Sequence, residues 1–280
     1  MPARISDLHR TAFVTGASTG LGRAFAEMLM RDGVRVWGTA RDASRLAHFL
    51  SEGATGETPR FVPIVMDLRD GVAAEAVFHR AETEASGFDL VINNAGYGVF
   101  GEFAAADFSV WQEQLEVMLL NTARLSRAAL RGMLGRNRGA LVNVSSLAAE
   151  FPLPFQSAYN MAKAGLTALS ESLMMELDKT GVVILDVRPG DYRTDFEGSV
   201  RRVSAEPNPR MIRAWRAFEK MMQTGPAPAH AAEALRRALL RNRSGTVRTG
   251  RFFQAVVAPF LARLGSLPLR RRIQSSYYDV

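Results

Sequence analysis

The sequence of 280 residues contains no cysteine. Disulfides, thiolate nucleophiles and cysteine-ligated zinc sites are thereby excluded, and the composition fits a reducing, cytoplasmic setting. No apolar run reaches the roughly 18 residues a membrane-spanning helix needs. The longest, from Phe252 to Leu264, is interrupted by Gln254, Pro259 and Arg263. The opening MPARISDLHR lacks the apolar centre of a secretory signal. Histidine is sparse: His9, His48, His79 and His230 all fall outside the motifs below and read as surface or packing residues. A hydrolase triad built on histidine therefore has little support, and no metal site is expected. Lysine is scarcer still, with Lys163, Lys179 and Lys220 only. The net charge of +7 is carried almost wholly by arginine. Those arginines are scattered rather than massed with aromatics, which argues against a nucleic-acid partner.

What is present reads as an α/β chain. Short runs rich in Val, Ile and Leu alternate with longer helical patterns, the signature of βαβ units and a parallel sheet buried on both faces. Strands are predicted at Thr11–Thr15, Val34–Thr39, Arg60–Met66, Leu90–Asn93, Ala140–Val144 and Val182–Val187, with a weaker seventh at Thr246–Thr249. Helices are predicted at Leu21–Arg31, Ala43–Leu50, Val72–Ala85, Phe108–Leu134, Ser157–Lys179 and Pro226–Arg241. Right-handed crossovers make this a doubly wound sheet, with helices on both faces and chemistry at the carboxyl ends of its strands. We expect a single domain over residues 1–250, with residues 195–225 as a lid and 251–280 as a C-terminal extension of the same domain.

Two motifs carry chemistry on their own terms. The first strand runs into Thr15-Gly16-Ala17-Ser18-Thr19-Gly20-Leu21-Gly22 at the start of a helix. Glycines allow a tight turn and a close backbone approach to a diphosphate, which the helix N-terminus favours through its free N–H groups and dipole. An ordinary βα turn is the plainer alternative. The second motif places Tyr159 and Lys163 four residues apart, on one face of a predicted helix. A phenol of pKa about 10 is a poor base at neutral pH, and a nearby ammonium favours its phenolate. Such a pair is common on exposed helices, but Ser146 sharpens the reading. It stands thirteen residues earlier, just past a strand, where its hydroxyl reaches the same cleft. Ser145 and Ser146 could each be a turn residue, and the spacing favours Ser146 as the functional one.

The glycine loop, Asn93-Asn94-Ala95-Gly96 at a strand end, Ser146 and the Tyr-x-x-x-Lys pair together, in this order, resemble the compact short-chain dehydrogenases over about Thr11 to Thr194. That resemblance implies a Rossmann-like domain and an oxidoreductase interconverting a carbonyl and an alcohol. It implies a catalytic tetrad of Asn121, Ser146, Tyr159 and Lys163. It implies cofactor contacts from Gly16, Ser18, Thr19, Gly20, Leu21, Gly22, Asp67, Leu68, Asn94, Ala95, Gly96, Tyr159, Lys163, Pro189, Gly190 and Thr194. It places Ala40 where NAD-preferring members carry an acid, with Arg41 next. A guanidinium there can grip a 2′-phosphate, so NADP(H) is expected over NAD(H). Alternatively Arg41 is merely exposed beside Asp42, which could cap the following helix. Homo-oligomers are usual in the family.

The loop Phe151-Pro152-Leu153-Pro154-Phe155 and the stretch from Tyr97 to Phe100 are apolar and should border the reacting centre. Tyr97, Phe151, Phe155 and Tyr192 are the candidate substrate contacts, and a lipophilic carbonyl or alcohol is the expected small-molecule partner. Packing of the lid would explain the same residues equally well. The tail, with Phe252, Phe253, Val256, Val257, Phe260 and Leu261 before Arg270-Arg271-Arg272, could close the pocket, meet another subunit or touch an anionic membrane surface weakly. Two other readings compete. A cofactor-sensing or scaffold protein on this fold would be expected to lose tetrad members. A sugar-nucleotide epimerase would usually show another glycine spacing and a larger C-terminal domain.

Overall fold

A computed structural model describes residues 4–49, 60–203, 206, 208–264, 266–278 and 280. Seven parallel strands form one sheet in the order β3-β2-β1-β4-β6-β7-β9, and a separate pair joins β5 to β8. In chain order the elements are β1 (Thr11–Val14), α1 (Gly20–Arg31), β2 (Arg35–Ala40), β3 (Phe61–Val65), α2 (Gly71–Glu84) and β4 (Leu90–Asn93). Then come β5 (Val99–Phe100), α3 (Phe108–Leu115), α4 (Asn121–Gly135), β6 (Gly139–Val144), α5 (Ser157–Glu176) and β7 (Val182–Pro189). The last third holds β8 (Arg201–Arg202), α6 (Pro209–Gln223), α7 (Pro228–Arg241), β9 (Gly245–Thr249), α8 (Ala258–Leu264) and α9 (Leu267–Tyr278).

The sheet separates two cores. On one face α1 packs on α7, burying Phe25, Leu29, Leu235 and Leu239 against Val14, Val36 and Leu185. On the other, α2 and α4 bury Phe78, Leu125 and Met133 against Phe13, Trp37 and Leu141. Each such side chain, fully withdrawn from water, contributes about 1.5–3 kcal/mol. The strands can be apolar throughout because both faces are covered, and β7 is buried along all eight residues. Two of those eight are charged. Asp186 and Arg188 pair at 2.7 Å inside the sheet, and Arg188 also reaches Glu150 and Glu171 at 2.6 Å each.

Several expected elements differ. The long helix expected over Phe108–Leu134 is two helices joined by a π turn at Glu116–Leu120. The wider turn shifts the angular position of every residue after it. The helix expected over Ala43–Leu50 is a 3₁₀ segment, Ala43–Phe49. Leu50, the end expected for it, and Pro207 of the lid lie outside the described residues. The β5–β8 pair carried no periodic signal, being two residues a side. It ties the stretch before α6 to the stretch after β4 by pairing Val99 with Arg201 and Phe100 with Arg202. Helix α6 starts where Asn208 accepts from the Met211 N–H at 3.0 Å, with Pro209 in the first turn. No helix among the described residues is long and apolar enough to cross a membrane.

Candidate active site

The carboxyl ends of the strands open into a cavity of about 1110 Å³. Its floor begins where β1 stops. The Thr15 hydroxyl accepts from the N–H groups of Asn94 and Ala95 at 2.9 and 3.0 Å, and the Asn94 amide donates to the carbonyls of Thr15 and Gly16. These bonds lock the end of β4 against the glycine loop. Gly16 and Gly20 have φ of +65° and +57°, a region that disfavours any side chain. A Cβ on Gly22 would stand 2.1 Å from the Gly16 carbonyl oxygen and 2.3 Å from the Asn94 amide nitrogen. Gly22 is thus outside the cavity and serves the approach of α1 to the loop. No side chain caps the start of α1, so its first N–H groups are open to an anion where Ser18, Thr19, Gly20 and Leu21 line the cavity. A glycine cradle and an uncapped helix start fit a diphosphate.

Past the end of β2 the wall is Arg41 and Arg45, both exposed, followed by Asp67, Leu68 and Arg69. Asp42 does what its position allowed and accepts from the Ser44 N–H at 2.9 Å. Arg69 donates to Asp67 from Nε at 2.9 Å. This hydrogen bond holds the Asp67 carboxyl below the usual carboxylate range despite partial burial.

Ser146, Tyr159 and Lys163 converge on the middle of the cavity, from the end of β6 and the first turns of α5. The Ser146 hydroxyl accepts from the Ala148 N–H at 3.0 Å, which fixes it at the head of a short 3₁₀ turn. Lys163 is buried, donates to the Val144 carbonyl at 2.7 Å and lies 5.7 Å from the Tyr159 ring centre. Burial pushes the Tyr159 phenol up to about 12; a hydrogen bond with Ser146 lowers it and the charge of Asp191 raises it. Burial also pushes the Lys163 ammonium down to about 8, against the opposing pull of Asp186. The protein thus holds the phenol protonated and keeps the lysine close to its own titration point.

The remaining expected residues divide. Asn94, Ala95, Gly96, Pro189, Gly190 and Thr194 line the cavity, and Thr194 packs against Gly20. Asn121 does not. Its amide donates to the Leu68 carbonyl at 2.8 Å and its oxygen abuts Gly71. The residues that line the cavity from this stretch are Val117 and Met118, and the Met118 methyl packs on Gly96. Of the four expected tetrad residues, Ser146, Tyr159 and Lys163 line this cavity and Asn121 does not.

Of the candidate substrate contacts, Tyr97 and Phe151 line the cavity. Phe155 is outside it and packs on Phe100 with ring centres 5.6 Å apart. Tyr192 borders the cavity, but its hydroxyl is turned into the core, bonded to Thr249 at 2.6 Å and His230 at 2.8 Å. Sequence reasoning missed Val117, Met118, Arg45, Phe196 and, on α6, Phe218 and Met222. Of the tail residues expected to be able to close the pocket, Phe253 and Leu261 line it, joined by Gln254, Leu269, Ile273 and Tyr278, which were not singled out. The apolar spacing of the tail was visible, but not which of its faces turns inward. Asn160 was overlooked inside its own motif. It bonds both the N–H and the carbonyl of Leu153, at 3.0 and 2.8 Å, and so pins the apolar loop over the cavity.

The sequence profile described as short chain dehydrogenase matches residues 10–204. The chain belongs to that family. This short-chain dehydrogenase is 31% identical over 231 residues to a short chain dehydrogenase of Pseudocercospora fijiensis, covering 81% of this chain and 74% of that one. It is 33% identical over 181 residues to a probable NADP-dependent dehydrogenase of Haemophilus influenzae, covering 64% and 70%. Among solved structures, a short-chain dehydrogenase from Streptomyces avermitilis superposes with a TM-score of 0.81 at 29% identity, covering 94% of this chain and 96% of that one. The short-chain dehydrogenase family places the chain among the oxidoreductases.

Proposed function

We propose that this oxidoreductase uses NADP(H) to interconvert a lipophilic ketone or aldehyde with its alcohol, running chiefly as a reductase. The observation that carries the reading is the convergence of Ser146, Tyr159 and Lys163 on one cavity. One end of that cavity has a diphosphate cradle and two arginines, and the other has an apolar wall. Bound NADPH would supply the hydride, held by the glycine loop, Asn94, Lys163 and the segment from Pro189 to Thr194. Ser146 donates to the carbonyl oxygen and orients it. Tyr159, held protonated by its surroundings, gives that oxygen its proton as the carbon is reduced. Lys163 supplies the positive charge that stabilises the phenolate left behind.

Support for NADP(H) comes from charge. Ala40 leaves no carboxylate to repel a 2′-phosphate, while Arg41 and Arg45 border that end of the cavity. The Haemophilus influenzae relative is described as NADP-dependent. Titration with both nucleotides, followed by a carbonyl panel, tests the assignment. Wild type is expected to bind NADPH at least about tenfold more tightly than NADH, and Arg41→Ala to erase most of that margin. Equal affinities in the wild type would sink the NADP(H) reading. A cofactor sensor on the same fold would bind NADPH and turn over nothing.

Support for a lipophilic substrate comes from the far wall of Leu147, Phe151, Phe196, Phe218, Phe253 and Leu261. Turnover that favoured small polar ketones would count against it.

A pH profile tests Lys163. Its ammonium is complete only below its titration point of about 8. Protons leave as pH rises, so kcat/KM for reduction at saturating NADPH is expected to fall through that region. Lys163→Arg keeps its charge and should move the fall to higher pH at a lower overall rate. Superimposable profiles for the two proteins would remove this role from the lysine.

A further inference from the structure

The tail is apolar on its outside as well as its inside. It consists of a π turn at Phe253–Val257 followed by α8 and α9. Phe253, Leu261, Leu269 and Ile273 line the cavity, yet each is about half exposed. Side chains that face a cavity and solvent at once stand at its mouth. Phe252, Val256, Phe260 and Leu267, on the same short segment, are exposed without lining the cavity, Phe252 at 73% and Phe260 at 63%. Single apolar residues on a surface need no explanation, but a group gathered at a cavity mouth marks a contact.

Charge decides what that contact is with. From Arg251 to Tyr278 the sequence has five arginines and no acidic residue. Arg251, Arg271 and Arg272 are exposed, the first beside Phe252 in the chain and the last beside Ile273. A second copy docking symmetrically through this segment would set the arginines against themselves, with no carboxylate of the segment to meet them, and like charges face to face cost affinity. An anionic bilayer satisfies both halves of the surface. Apolar side chains enter the boundary between headgroups and acyl chains, while the guanidinium groups stay among the phosphates. We propose that the tail is a peripheral docking surface for an anionic membrane, with Phe252 and Phe260 entering the lipid and Arg271 and Arg272 meeting its phosphates. The cavity mouth then lies at the membrane. On the lipophilic-substrate reading above, the substrate passes to the cavity from lipid; the docking itself needs no turnover.

The test is flotation of the full chain with vesicles of phosphatidylcholine alone and of phosphatidylcholine mixed with phosphatidylglycerol. At low salt, at least about tenfold more protein should float with the mixed vesicles, and added salt should strip it off as the charges are screened. This comparison needs no variant. Arg271→Glu with Arg272→Glu should remove the preference for anionic lipid. Phe252→Ser with Phe260→Ser should lower binding to the mixed vesicles by about tenfold or more. Neither phenylalanine lines the cavity, so an unchanged melting point serves as the check on folding. A wild type that floats with neither vesicle overturns the proposal, and so does binding that both pairs of substitutions leave unchanged. If the wild type does not float but forms an oligomer that Phe252→Ser with Phe260→Ser takes apart, measured by light scattering, the surface belongs to a second copy and the proposal is overturned. Failure to reduce any carbonyl would sink the reductase reading and leave the flotation result standing.

Discussion

Replacing Tyr159 with phenylalanine is expected to lower kcat/KM for carbonyl reduction by about a thousandfold or more, while NADPH affinity changes far less. Only one oxygen is removed. The ring keeps its packing against Phe196, 5.9 Å away centre to centre, and its place beside Lys163. What disappears is the phenol hydroxyl that hydrogen-bonds Ser146, on a ring that lies beside Lys163. Positioned general acids typically contribute 10²–10⁴-fold, and no other group stands ready to give the proton. Ser146 is a far weaker acid, and the Lys163 ammonium already donates to the Val144 carbonyl. Steady-state kinetics with NADPH titration of both proteins gives the answer. A loss under tenfold would mean that water or another residue supplies the proton.

The second large effect lies behind the site. Arg188→Met is expected to destabilise the fold by about 3 kcal/mol, because it removes the ion pair that Asp186 makes inside the sheet and leaves that buried carboxylate with the Ser145 hydroxyl and the pull of Lys163. Asp186 is fully buried and its remaining side-chain partner is the Ser145 hydroxyl. Arg188 is nearly as buried, and it joins Asp186 to Glu150, which Arg248 also contacts at 2.7 Å. For a domain of this size the drop corresponds to a melting point lower by roughly 6–12 °C. Asp186→Leu combined with Arg188→Met should recover most of that loss, since an apolar pair needs no compensation. If the double variant melts no higher than Arg188→Met, the ion pair is not what the single change disturbs. Because Asp186 also helps keep the Lys163 ammonium charged, its replacement should move the pH profile as well.

The parallel sheet was legible because its strands are buried on both faces and so must be apolar almost without interruption. Where that rule broke, at Asp186 and Arg188, the sequence offered two charges inside a strand and no hint that they neutralise each other. The glycine loop was legible because Gly16, Gly20 and Gly22 satisfy backbone requirements that other residues meet poorly. Ser146, Tyr159 and Lys163 were legible because one strand end and one helical turn fix their relation. Asn121 was carried over from the family resemblance rather than from local spacing, and the folded protein ties its amide to the Leu68 carbonyl while Val117 and Met118 line the cavity. Phe155 and Tyr192 were assigned from proximity in the chain, while the folded protein turns one toward Phe100 and ties the other to His230 and Thr249.

By itself, then, the sequence determined what local geometry determines: the order of strands and helices along the chain, the glycine turn, and the placing of the serine at a strand end and of the tyrosine and lysine on one helix face. Those features depend on residues a few positions apart, whose relation the backbone dictates. Tertiary structure alone decided that Val117 and Met118 rather than Asn121 line the cavity, that Arg45 joins Arg41, and that Gln254 crosses 63 residues to hold Asp191. Each of these is a meeting of distant segments, set by how lid, tail and sheet pack, and no periodicity in the chain encodes it.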